Sequence, residues 1–184
     1  MNKKLEQTAI TRQNIEEAYM RCVRERGFEK TSVSELMKVA GYNRGTFYAY
    51  YTDILDLQKT MENELIADIS GRCEKLSEKL AKVSFDEVAR EAAGFIRENA
   101  DRLFLFLEND PTFSKMITEK FSKVLAEVFP QMNEHPYREY ILQAYVASVI
   151  ASLTMWHNNG EREPIDEIAR TVHGIWVTGM KVLE

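Results

Sequence analysis

The apolar residues fall into helical stripes along the chain. Ile15, Ala18, Tyr19, Cys22 and Val23 follow a three-one-three-one spacing, which predicts a first helix capped by Thr11 and stopped at Gly27. Ser32 with Glu35 three residues later makes a capping box, and Val33, Leu36, Met37 and Ala40 form the stripe of a short second helix. Gly41 suits the left-handed conformation that stops a helix and Asn43 is placed to cap the next, so only a tight turn fits between them. A third helix near Arg44 to Tyr50 follows, with Phe47 and Tyr51 turned inward and the polar atoms outward.

Asp53 opens a long fourth helix carrying Leu57, Met61, Leu65 and Ile69. Ser84 with Glu87 is a second capping box, starting a helix with Val88, Ala92, Phe95 and Ile96 on one side. Leu103 to Leu107 is apolar throughout, and since no neighbouring segment alternates with period two it is read as a short buried helix, not a strand. Asp110 and Pro111 fit the first positions of a helix striped by Phe113, Met116, Ile117, Phe121, Val124, Leu125 and Val128 and closed by Pro130. Pro136 opens a long helix ending at Gly160, and Pro164 opens the last, with Asp166 and Glu167 where the helix dipole favours anions. The expected fold is all-α with about nine helices: a three-helix head over residues 1–52, then a helical bundle over 53–184.

A chain of 184 residues buries roughly 70% of its unfolded surface and needs no staple. Cys22 and Cys73 lie far apart, and Cys22 falls on an apolar stripe, so both are expected as free thiols in a reducing compartment. No apolar run has the length of a secretion signal or a membrane span, which predicts a cytoplasmic protein with no membrane partner. The net charge of −5 is unevenly spread: residues 1–52 hold nine Lys and Arg against six Glu and no Asp, and the acidic excess lies in the remainder. Charges beyond about 8 Å are screened at physiological salt, so a basic head on an acidic body is compatible with DNA.

Residues 31–51 read TSVSELMKVAGYNRGTFYAYY, two short helices around a glycine turn, the geometry that holds a second helix out for the major groove; the motif is placed at 31–50. With Gly27, Leu36, Ala40, Gly41, the run Gly45-Thr46-Phe47-Tyr48, Tyr50, Tyr51, Leu55 and Leu57, the chain resembles the TetR family (TetR/AcrR type) of bacterial transcription regulators over about its first 60 residues. From chemistry alone, Arg44 has the reach and fork geometry to bind a guanine edge, and Thr46, Tyr48 and Tyr50 offer hydroxyls. The resemblance implies that Ser32, Ser34, Thr46, Tyr48 and Tyr50 grip phosphates or adjacent base edges, that Asn43 and Arg44 read sequence, and that Gly45 lets the backbone approach closely. The chain departs from the family pattern at Ile54, where a lysine is usual, at Met37, where a small residue is usual, and at Tyr42; Ile54 removes a phosphate contact.

Beyond the motif, Ala144, Ala147, Ser148, Ala151 and Ser152 form a smooth stripe, and the final helix adds Ala169, Val172, Trp176, Gly179 and Met180. Two such helices from each of two subunits make a four-helix interface by resemblance to the family, and the homodimer then sets two recognition helices about 34–36 Å apart on a palindromic operator of double-stranded DNA. Met61, Leu65, Phe95, Phe104, Met116, Phe121, Tyr145 and Trp156 are candidates for an apolar pocket taking a small-molecule effector, the same residue types that build plain core. His135, His157 and His173 have no helical metal-site spacing, no nucleophile elbow or phosphate loop is found, and neither a metal, another cofactor nor an enzymatic activity is expected. The expected function is a ligand-responsive regulator, a repressor by resemblance. A helical ligand-binding or scaffold protein that has lost DNA binding, and an activator with a co-regulator, remain alternatives.

Overall fold

The computed structural model describes residues 3–77, 85–128 and 135–180, and every regular element among them is helical. In chain order these are α1 (Lys3–Arg26), a single 3-10 turn (Phe28–Lys30), α2 (Val33–Ala40), α3 (Arg44–Tyr48), α4 (Ile54–Ser77), α5 (Phe85–Asn109), α6 (Pro111–Val128), α7 (Arg138–Asn158) and α8 (Ile165–Met180). The stop and start signals act as their chemistry predicts. Gly27 and Gly41 sit at φ 84° and 77°, and the Ser32 hydroxyl accepts the Glu35 amide and donates to the Glu35 carboxylate. Asp53 accepts the Asp56 amide, and Asp110 accepts the amides of Thr112 and Phe113 ahead of the turn that Pro111 pre-sets.

Three boundaries differ from the sequence reading. α1 begins at Lys3, eight residues before Thr11, whose hydroxyl donates back to the Gln7 carbonyl at 2.9 Å inside the helix in place of capping it. Leu103–Leu107 is not a separate helix but the last turns of α5; no proline interrupts the 25 residues of that helix, and it runs on through Gly94. Ala92 faces solvent, while Ala89 and Ala93 are buried beside Phe95 and Ile96, so the inner stripe of α5 is turned from the one expected. The long helix begins at Arg138, two residues after Pro136. The expected cap at Ser84 and stop at Pro130 lie outside the described residues, as does the side chain of Cys73; Cys22 is a buried free thiol.

α5 is the central element, in contact with α1, α4, α6, α7 and α8. A single apolar cluster runs from Ile15, Tyr19 and Cys22 of α1 through Leu36, Met37 and Phe47 to Leu57, Met61, Leu65 and Ile69 of α4, then into Phe104, Phe106, Phe113 and Ile117. The helix-turn-helix is thus seated on α1, and α1 is seated on the bundle. None of the described helices is long and apolar enough to cross a membrane.

Candidate nucleic-acid interface

The turn between α2 and α3 is built by side chains that tie up their own backbone. Asn43 caps α3, its Oδ1 accepting from the Thr46 amide at 2.9 Å and from the Thr46 hydroxyl at 3.3 Å. A larger residue at position 45 would crowd this cap, because a Cβ on Gly45 would lie 3.1 Å from that same oxygen. Gly45 therefore makes room for the cap, whatever else approaches it from outside. Tyr42, the unusual residue after Gly41, takes a hydrogen bond on its hydroxyl from Asn14 Nδ2 at 2.9 Å and so fastens the turn to α1.

α3 has two unlike faces. Phe47 is fully buried and packs against Tyr51, which is 4% exposed, at 5.6 Å between ring centroids. On the outer side Arg44, Gly45 and Asn43 are exposed, and Tyr48 is 54% exposed, its ring set edge-on to Phe47 at 5.5 Å. Positions 44 and 48 are one turn apart, so a guanidinium fork and a phenol project from one side of a helix whose opposite side is anchored. Ser32 and Ser34 are exposed at the start of α2, while Thr46 and Tyr50 are half-buried. The structure thus brings Arg44 and Tyr48 onto one free surface. Asn43, Thr46 and Ser32 have their oxygens engaged in caps, and Asn43 keeps only its amide nitrogen free of that duty. Ile54, where the family places lysine, is half-buried and packs on the core.

The pocket candidates are mostly packed core. Met61, Leu65, Phe95, Phe104 and Trp156 are all at most 5% exposed, and Met116 and Phe121 lie half-buried against the same cluster. Tyr145 is apart from them, between α7 and α8, where its hydroxyl meets His173 Nδ1 at 3.1 Å and its ring meets Trp176 edge-on; burial pushes its pKa up to about 12. Two open clefts, one between α1 and α4 and one between α6 and α7, contain none of the eight candidates.

The dimer stripe divides in two. Tyr140, Ala144, Ala147, Ala151 and Met155 lie on an exposed side of α7, and Ile175 is 67% exposed on α8. Ser148 and Ser152 turn the other way: Ser148 Oγ accepts from Trp176 Nε1 at 2.8 Å within the subunit, and Ser152 donates to the Ser148 carbonyl. Ala169, Val172 and Trp176 are half-buried, and the side chains of Gly179 and Met180 lie outside the described residues. Sequence reasoning passed over a charged group beneath the motif, formed by Arg12, Glu16, Tyr51, Glu64 and Arg102, whose members are too far apart in the chain to leave a local pattern.

Two family profiles match the chain: one described as bacterial regulatory proteins, tetR family, over residues 15–59, and one described as a transcriptional regulator C-terminal region over residues 84–176. The chain belongs to the tetR family. It is a helix-turn-helix transcriptional regulator, and the matched amino-terminal segment contains the whole of α2 and α3. Solved structures of TetR-type regulators share its fold. The fatty acid degradation regulator FadR from Bacillus halodurans superposes with a TM-score of 0.65 at 14% identity, covering 92% of this chain and 95% of that one. FadR from Thermus thermophilus, a TetR family transcriptional repressor in complex with lauroyl-CoA, gives 0.59 at 21% identity with 92% and 94% covered. A TetR transcriptional regulator from Streptococcus agalactiae gives 0.57 at 22% identity with 94% and 97% covered. A search of curated protein sequences finds no match to this TetR-family chain.

Proposed function

We propose that this regulator is a repressor: a homodimer whose two heads, residues 1–52, sit on a palindromic operator, and whose bodies, residues 53–184, form the dimer and release the DNA when a small molecule enters. The single observation that carries the reading is the two-sided α3, with Arg44 and Tyr48 free to meet base edges and phosphates while Phe47 and Tyr51 lock the helix to the core. Support for the dimer comes from Tyr140, Met155 and Ile175, large apolar side chains each more than half exposed on the last two helices, since an apolar patch left bare on one subunit is the usual mark of an interface. Support for an apolar effector comes from lauroyl-CoA in the similar Thermus thermophilus repressor.

The test is a selection of DNA from a random duplex pool, followed by anisotropy on the enriched sequence with and without lauroyl-CoA. The expected result is an inverted repeat bound by two subunits, with affinity reduced by about 5–150-fold when the effector is present. Enrichment of no sequence would leave the helical scaffold reading in its place, and enrichment of a repeat unaffected by lauroyl-CoA would remove the acyl-CoA class of effector while keeping the regulator.

A further inference from the structure

Beneath the proposed DNA-reading surface a charged network joins three helices and the segment that follows α3. Arg12 of α1 donates through Nε to Glu16 Oε1 at 2.9 Å and to the Tyr51 hydroxyl at 3.1 Å, and the Tyr51 hydroxyl donates in turn to Glu16 Oε1 at 2.9 Å. Arg12 Nη2 pairs with Glu64 of α4. From the other side Arg102 of α5 donates through Nη2 to Glu64 Oε2 at 3.2 Å and to the Met61 carbonyl at 3.0 Å, while its Nη1 lies 3.9 Å from Glu16 Oε2. Two guanidiniums and two carboxylates thus balance each other. The inner half is poorly hydrated, with the side chains of Glu16 and Arg102 only 12% and 22% exposed, so salt screens it weakly.

The network has a direction. Tyr51 follows the recognition helix by three residues, and its ring packs on Phe47, the residue that anchors α3. Its hydroxyl is held protonated by burial, with Glu16 adding to the effect against the opposing pull of Arg12. Arg12 is held charged although burial opposes it, because its bonds to Glu64 and Tyr51 outweigh that cost. At the far end Arg102 sits on the central helix of the body, and its Nε is, among the described residues, the one buried side-chain nitrogen or oxygen with no hydrogen-bond partner. A buried N–H without a partner is costly, so the position of this guanidinium is set by the bonds its Nη atoms make. Arg102 stands where its two Nη atoms reach α1 and α4 together.

Without Arg102, Glu16 and Glu64 are left to Arg12 alone, and the group that holds Tyr51 loses its tie to α5. We propose that Arg102 is a positioning residue for DNA reading: through Glu16 and Glu64 it fixes Arg12 and Tyr51, and with them the angle at which each subunit presents α3. The inference rests on the regulator reading above. It gives the body a specific handle on the head, because any displacement of α5 along α4 must first break Arg102 from Glu64. An open cleft lined by Leu5, Thr8, Ala9, Ala49 and Thr60 leaves Arg12 and Glu64 within reach of water, so the pairs can part without a cavity being opened.

The experiment uses the full chain and the DNA that it selects. Anisotropy is measured on the selected duplex, on the same duplex with one base pair inserted between half-sites, and on a single half-site. The wild type is expected to prefer its own spacing by about tenfold, Arg102→Met to lose most of that preference while binding the single half-site as before, and Arg102→Lys to restore part of it. Tyr51→Phe, which removes only the hydroxyl at the far end, relaxes the spacing preference in the same direction and serves if Arg102→Met melts too low to use. Variants that keep the wild-type spacing preference overturn the inference and leave the regulator intact. A wild type that selects no DNA overturns both.

Discussion

Asn43 and Gly45 are coupled across α3's first turn: the oxygen of Asn43 that caps the Thr46 amide at 2.9 Å is the atom a Cβ on Gly45 would approach to 3.1 Å. The cap and the glycine are one device. Loss of such a cap costs about 1 kcal/mol, so Asn43→Ala lowers the melting temperature by roughly 2–4 °C, whereas Asn43→Ser retains the cap and most of the stability. Gly45→Ala replaces glycine by the better helix former, yet crowding the cap cancels the usual gain of about 1 kcal/mol. Thermal melts of the three variants check this, and a clear stabilisation by Gly45→Ala would contradict it.

Ile54 stands where the family resemblance implies a lysine, and it packs against the core. Ile54→Lys is expected to steepen the plot of log affinity against log salt by about 0.9 per subunit while lowering the melting temperature. An unchanged slope would show that this end of α4 does not face DNA.

Much of the fold is written locally. Ser32 with Glu35, Gly41, Asn43, Asp53, and Asp110 with Pro111 each act within four residues, so their spacing alone locates the motif and the starts of α4 and α6. The misreadings share a cause. A threonine hydroxyl serves a helix start or bonds back to a carbonyl one turn earlier, and nothing near Thr11 in sequence selects between them; the choice is made because residues 3–10 continue a helix. The apolar run Leu103–Leu107 stands apart from Phe95 and Ile96 in sequence, yet the helix continues through Arg102, which is taken up by Glu16 and Glu64, distant in sequence. Of the residues proposed to read DNA, side-chain chemistry offers Arg44 and the hydroxyls of Thr46, Tyr48 and Tyr50, and the fold leaves Arg44 and Tyr48 the exposed ones. That Asn43, Thr46 and Ser32 have their oxygens engaged depends on hydrogen bonds that only folded geometry displays.

Ala147 and Ala151 are exposed in the isolated subunit, so charging them leaves the fold of one chain undisturbed. The pair Ala147→Glu, Ala151→Glu places like charges at the proposed twofold contact. Sedimentation is expected to show the wild type at twice the chain mass of 21.4 kDa and the variant at that mass, with unchanged helix content. A wild type that sediments as a monomer would contradict the proposed dimer.

His173, hydrogen-bonded to the Tyr145 hydroxyl, has its pKa lowered from 6.5 by burial. The unfolded chain therefore takes up this proton at a higher pH than the folded one, and stability is lost as pH falls from 6.5 through the lowered folded value. Denaturant unfolding at a series of pH values is expected to show a shallower acid loss in His173→Gln than in the wild type. Parallel curves would mean that the α7–α8 contact does not resist protonation.

That the outer face of α3 reads DNA is tested most directly at Arg44 and Tyr48, because both side chains are exposed and a phenylalanine at 48 keeps the ring that meets Phe47. The measurement is anisotropy of wild type and of the Arg44→Ala, Tyr48→Phe double variant on the selected operator, with melting curves alongside. The account predicts affinity at least about tenfold weaker at an unchanged melting temperature. Equal affinity in a variant that melts with the wild type would contradict it.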